Sequence, residues 1–148
     1  MILTGAGSRN ALFEKIDELR KVSCMVGLVF ADLNGLKVIN DINGHAAGDE
    51  AIRAAANMLF RFCGKKNVYR NGGDEFVAVL PNMSLGAFDL VRENLNEAIG
   101  IEKGSSLAIG FEWCDDSKKL IDAMKSADKK MYEDKAEYYR KHDRRHRE

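Results

Sequence analysis

One proline, one tryptophan and three cysteines are all that 148 residues contain of these types, and 23 basic against 23 acidic side chains leave no net charge. Each shortage excludes something. Without a basic excess there is no electrostatic footprint for nucleic acid, whose binding depends on displacing counterions from many phosphates, so a phosphate ligand has to be held locally. The odd number of cysteines, Cys24, Cys63 and Cys114, with no Cys-x-x-Cys spacing, argues against a disulfide framework and a zinc site. Each sits in an apolar run and is expected to be a reduced core thiol of a cytoplasmic protein. The longest apolar stretch, Met25 to Ala31, is far shorter than the ~20 residues of a membrane span, and no signal-peptide pattern opens the chain. No membrane contact by this domain is expected.

With 45% hydrophobic residues and no Gly/Ser/Pro-rich linker or internal repeat, the length suits one domain with its own core. Leu12, Ile16 and Leu19 space a first helix, and "CMVGLVFA" (24 to 31) is a buried strand that stops at Asp32. A short helix around Leu36, Ile39 and Ile42 closes at Asn43-Gly44. A longer one carries Ile52, Ala55, Ala56, Leu59, Phe60 and Cys63 on one face and ends at Gly64. "NVYR" and "EFVAVL" flank an Asn-Gly-Gly-Asp hairpin turn. Ser84 is placed to cap a helix with Phe88, Val91, Leu95 and Ala98. "SLAIGFEW" (106 to 113) is a further strand, and Ser117 is placed to cap a last helix through Leu120, Met124, Ala127 and Met131. Tyr69, Trp113, Tyr132 and the methionines are expected in the core. The order α, β, α, α, β, β, α, β, α is an α+β class: an antiparallel sheet with a split βαβ core, as in ferredoxin-like and nucleotidyl cyclase palm folds, and flanking helices.

"RNGGDEFVAVLP" (70 to 81) carries two consecutive acids that a simple hairpin does not need. Antiparallel pairing of the first strand with the one starting at Glu75 brings Asp32 beside Asp74 at one sheet edge. Two such carboxylates repel unless a divalent cation sits between them, and hard oxygen donors with room for water and phosphate suit Mg2+. Gly72 and Gly73 leave space for a phosphate to approach backbone, while "NGLK" after Asp32 offers consecutive amides opening a short helix. Asn40 and Asp49 together match the amide edge and exocyclic amine of guanine.

"LTGAGSRNAL", "DLNGLKVINDINGHAAGD", "YRNGGDEFVAVLP", "SLAIGF" and "ADKKMYEDK" stand in the order and approximate spacing of the GGDEF family of bacterial diguanylate cyclase domains, so that the chain resembles it from Leu3 to Lys135. The resemblance implies Mg2+-dependent condensation of two GTP molecules to cyclic di-GMP across a dimer, with Mn2+ as a substitute ion. It makes Asp32, Asp74 and the carbonyl of Leu33 metal ligands, with Asp74 and Glu75 as catalytic acids. Asn40, His45 and Asp49 fall at substrate positions, Gly72, Gly73 and the amides of Gly35 and Leu36 at the phosphates, and Lys135 at the β and γ groups. Glu75 is left as either a metal ligand or the group activating the attacking hydroxyl.

The chain also departs from the family. Leu36 replaces a frequent Phe, and Tyr138 and Tyr139 stand where a Gly-Arg pair is usual, leaving Arg140 as a substitute. Met1 stands where an Asp precedes the Leu-Thr-Gly motif. The product-binding Arg-x-x-Asp pair is replaced by Cys63 and Lys66. Lys37, Asp41, Arg53 and Arg70 read as surface charges. The domain is expected over residues 3–137, with 138–148 a solvated charged tail, and an upstream sensor or dimerising segment, through which the whole protein could be membrane-anchored, is expected to drive a transient homodimer. The alternatives are a GTP-binding module that signals through a partner and a nucleotidyltransferase with a different product.

Overall fold

The apolar run after Met25 becomes β1 (Val26–Leu33), which pairs antiparallel with β3 (Glu75–Pro81) on one side and β4 (Leu107–Cys114) on the other. Short β2 (Val68–Arg70) extends the sheet beside β3, giving the order β2-β3-β1-β4 of the expected split βαβ plan. The chain is a computed structural model describing residues 3–101 and 106–147, with side chains through Lys141. Met1 and the charges of the tail beyond Lys141 lie outside the described residues.

Among the described residues, five α-helices cover the sheet: α1 (Arg9–Arg20), α2 (Leu36–Asn43), α3 (His45–Cys63), α4 (Leu85–Ile101) and α5 (Leu120–Arg147). Val29, Ala31, Leu33, Phe76, Ala78 and Leu80 pack against α3 and α4. The alternate residues Val26, Leu28, Phe30, Val77 and Val79 pack against Leu12, Ile16 and Leu19 of α1 and Leu120, Ala127 and Met131 of α5. With both faces covered, the central strands carry no polar alternation, and this is why β1 reads as an unbroken apolar run. The strand does not stop at Asp32: Asp32 is paired within it and Leu33 ends it.

Local signals place most boundaries. Ser8 Oγ accepts from Ala11 N at the start of α1, and Ser84 Oγ accepts from Ala87 N at the start of α4. Gly44 and Gly64 take positive φ where α2 and α3 end. Ser117 departs from its expected role. Asp116 caps a short 3-10 turn (Ser117–Lys119) ahead of α5, while the buried Ser117 hydroxyl donates to Val22 O and accepts from Cys24 N, tying the loop after α1 to the start of α5. Tyr132 also departs, being 72% exposed, whereas Tyr69 is buried and Trp113 donates its indole N–H to Met83 O. Cys63 and Cys114 are buried free thiols, and Cys24 is partly buried.

α5 lies directly on the backbone of β4. A Cβ on Gly110 would stand 2.1 Å from Ala127 O and 2.6 Å from Met131 N. No rotamer change relieves a contact with backbone, so glycine here sets how deeply the helix seats. Gly110→Ala is expected to lift α5 and lower stability by ~1–3 kcal/mol, the usual cost of overpacking. Urea denaturation of the purified variant checks this through a lower midpoint at unchanged slope.

Candidate active site

The register Asp32↔Glu75, continued by Leu33 N donating to Asp74 O at 2.9 Å, puts three acids where β1 ends and β3 begins. Asp32 shares the strand face of Phe30 and Leu28, and Glu75 that of Val77, so both look toward α5. From α5 the Lys135 ammonium donates to Asp32 Oδ1 at 2.8 Å, with side chains only 23% and 13% exposed respectively. Burial raises the Asp32 carboxyl and the Asp74 charge adds to it; the Lys135 bond opposes them and is outweighed. Partial burial works against the Lys135 charge, but its bond to Asp32 and the charges of Asp32 and Asp74 hold the ammonium above its ordinary value. Glu75 is raised mainly by burial, then by Asp128, Asp32 and Asp74, against a hydrogen bond from Asn71.

The glycine turn is held by its neighbours. Asn71 N and Gly72 N donate to Glu75 O, Asn71 Nδ2 donates to Glu75 Oε1 at 3.1 Å, and the Arg70 guanidinium donates to the carbonyls of Gly72 and Gly73, the shortest contact being 2.6 Å. Arg70 is thus no idle surface charge but the clamp of the turn, and Asn71 orients Glu75. An Arg and an Asn directly before the paired glycines were the sequence signal for both. Neither Gly72 nor Gly73 has positive φ, so backbone strain does not demand them. A Cβ at Gly73 would meet nothing within 4 Å, and one at Gly72 only Glu75 Cβ at 3.8 Å. The protein leaves this space open.

On the other side of the acids, Gly35 opens α2 at φ 69 and its N–H donates to the Tyr139 hydroxyl at 3.2 Å. Asn34, buried just before it, donates to Ser106 Oγ, and its Oδ1 has no partner among the described residues. Leu36 and Asn40 both lie against Gly48. A Cβ there would fall 1.7 Å from Asn40 Oδ1 and 3.3 Å from Leu36 Cδ1, so Gly48 lets the two helices meet, with Asp49 next along α3. His45 is exposed at the first turn of α3 and takes no part in the hydrogen bonds around the acids. Arg140 pairs with Glu137 along α5, and it is Tyr139 that reaches Gly35. The helix runs on to Arg147.

The donor set fits a hard divalent cation. Asp32 and Asp74 supply carboxylate oxygens and Leu33 a carbonyl beside them, and a cation there would offset both the burial and the Asp74 charge that raise Asp32. Among the described residues no group of three His, Cys, Asp or Glu side chains forms a ready-made cage. Two carboxylates with open space alongside suit Mg2+, which keeps waters and binds substrate phosphates, better than an ion needing an all-protein shell. A separate groove of about 570 Å³ follows the open edge of β4 and excludes these acids. There Asp134 accepts from Ile109 N and Lys130 donates to Phe111 O, which protects a sheet edge.

Cys63 is buried with its thiol pushed up to about 12 by that burial, and Lys66 sits in a 3-10 turn (Lys65–Asn67). Neither supplies a guanidinium or a carboxylate.

The family model described as diguanylate cyclase, GGDEF domain, matches residues 2–141. An uncharacterized membrane protein of Staphylococcus aureus (strain USA300) is 28% identical over 144 residues, which cover 85% of this chain and 40% of that protein. The chain therefore spans well under half of the curated relatives it matches. Among solved structures, the FimX GGDEF domain from Pseudomonas aeruginosa superposes with TM-score 0.79 at 17% identity, covering 93% of each chain. The GGDEF domain of DgcB from Caulobacter crescentus, in complex with c-di-GMP, superposes with TM-score 0.77 at 22% identity over 92% of this chain and 89% of that one. These two likenesses establish the fold.

The raised Glu75 has a pH signature. A carboxyl whose folded pKa lies above its unfolded value binds more protons in the folded state, so its charge costs stability above that range and the cost vanishes as pH falls below both values. Glu75→Gln, which keeps an acceptor for Asn71, is expected to raise the melting temperature at pH 7 and to lose that advantage in acid. Thermal melts of both proteins between about pH 3 and pH 7 check the sign.

Proposed function

From the premise that this chain belongs to the GGDEF family of diguanylate cyclase domains, we propose that it condenses two GTP molecules into cyclic di-GMP, one nucleotide held by each of two domains facing each other. The observation that carries this reading is the acid corner of Asp32, Asp74 and Glu75 beside a glycine turn whose space the protein does not use.

In this reading Asp32, Asp74 and the Leu33 carbonyl hold Mg2+, or Mn2+ in its place, which when bound offsets the negative charge developing on the phosphoryl oxygens. Gly72, Gly73 and the amides of Gly35 and Leu36 receive the triphosphate. Lys135, released from Asp32, neutralises the β and γ groups. Asn40 and Asp49 read guanine across the α2 and α3 contact, and His45 borders the same face. The 3′-oxygen of one GTP attacks the α-phosphorus of the other, the bond to pyrophosphate breaks, and Glu75 takes the hydroxyl proton. Burial suits Glu75 to that task by making it a stronger base than an exposed carboxylate. Repeating the step in the opposite sense closes the ring, so a single domain cannot complete it. Facing domains supply much of the rate by positioning, and an upstream sensor segment would bring them together.

A second reading, a weak or inactive GTP-binding module that signals through a partner, is favoured by one feature: Tyr139 rather than an arginine stands at the phosphate side. Products decide between the two. A coiled-coil fusion that forces dimers, incubated with GTP, ATP and Mg2+, should yield cyclic di-GMP by mass and no adenine counterpart. Asp74→Asn should reduce turnover at least about a hundredfold with the fold intact by circular dichroism, since it removes a ligand charge without opening a cavity. Turnover of GTP equal to wild type in that variant, or equal use of ATP, would sink the assignment.

The buried Cys63 and the lysine at position 66 generate a separate expectation. Cysteine cannot supply a planar guanidinium, and Lys66 reverses the charge of the usual acid. With the active site blocked by a non-hydrolysable GTP analogue, calorimetry should detect no cyclic di-GMP binding in the micromolar range. A signal that disappears on Lys66→Ala would contradict this.

A further inference from the structure

The stretch of α5 from Lys135 to Tyr139 touches the corner with groups that imitate its proposed ligands. Lys135 Nζ puts a cation 2.8 Å from Asp32 Oδ1, and Tyr139 puts a hydroxyl oxygen 3.2 Å from Gly35 N. Spaced four apart, the two residues share one helix face, and the ammonium lies 5.9 Å from the centre of the Tyr139 ring. Tyr138 meets Tyr139 edge to face at 5.3 Å, and a Cβ on Gly35 would stand 3.6 Å from the Tyr138 hydroxyl. Both tyrosines therefore close over the β1–α2 turn.

We propose that Tyr139 is a positioning residue acting as an internal competitor for the phosphate-binding turn: its hydroxyl holds the Gly35 amide in the empty domain, and the triphosphate must displace it. This rests on the function proposed above, in which that amide is a phosphate ligand. A neutral hydroxyl accepts a weaker bond than an anionic phosphate oxygen, so the exchange runs toward the nucleotide once it arrives. Until then the amide has a partner and the left-handed turn at Gly35 stays formed. The cost is affinity. An arginine at position 139 would attract the phosphates; tyrosine instead withholds one of their donors, and its contact becomes a latch whose release accompanies loading.

Tyr139→Phe removes the hydroxyl and keeps the ring beside Lys135; at 40% exposure the side chain is not a core element. Titration calorimetry with a non-hydrolysable GTP analogue and Mg2+ should show the variant binding about two- to tenfold tighter, the factor a single neutral hydrogen bond is worth. Tyr132→Phe, exposed on the same helix, should bind as wild type. In amide nuclear magnetic resonance spectra the Gly35 signal of the empty variant should differ from wild type, and the two should converge on saturation. Equal affinity would overturn the competitor role while leaving the function standing. Weaker binding would overturn it too, by making the hydroxyl a phosphate ligand. If neither protein binds the analogue, the functional reading falls and the competitor role falls with it.

Discussion

The antiparallel pairing of β1 with β3 is the constraint on which the rest depends. It runs in continuous register from Val26↔Pro81 to Asp32↔Glu75. Apolar pairs occupy its length and acids gather where it ends. A slip by one residue would turn Val77 and Val79 from α1 and α5 toward α3 and α4, and every other pair with them, so burial on both faces locks the register. The same lock holds like charges together that would separate in a free chain.

That concentration of charge is tolerated because α5 brings one cation to it. The seat of α5 is set by Gly110, where the helix backbone rests against β4, and by Ala127 and Met131, which bury against the sheet about two turns and one turn before Lys135. Core packing on one side of the molecule thereby determines where an ammonium meets Asp32. The compensation is partial. Asp32 and Glu75 remain above their ordinary values, first because they are partly buried and then because like charges stand beside them. Holding these acids together costs some folding stability.

Small polar contacts then shape the corner. Arg70 fixes the carbonyls of the glycine turn, Asn71 holds Glu75, Gly48 admits Asn40, and Tyr139 satisfies Gly35. None contributes much energy alone. Together they set which donors face the open space and which are already occupied.

Much of this was legible in the residues. Strand and helix order followed from apolar spacing, helix ends from Ser84, Gly44 and Gly64, and the meeting of Asp32 with Asp74 from the antiparallel pairing of two strands, because each of these depends on neighbours in sequence or on one pairing. Other features belong to the tertiary structure alone. Ser117 looked like a cap and instead ties two distant loops; Tyr132 looked apolar-facing and is exposed; Arg70 looked like a surface charge and clamps a turn. The latch of Tyr139 on Gly35 joins residues 104 positions apart. Periodicity reports which face of an element is buried, but not the depth at which a helix seats or the direction of a long polar side chain, and those are decided only when the packed core fixes the distance between elements.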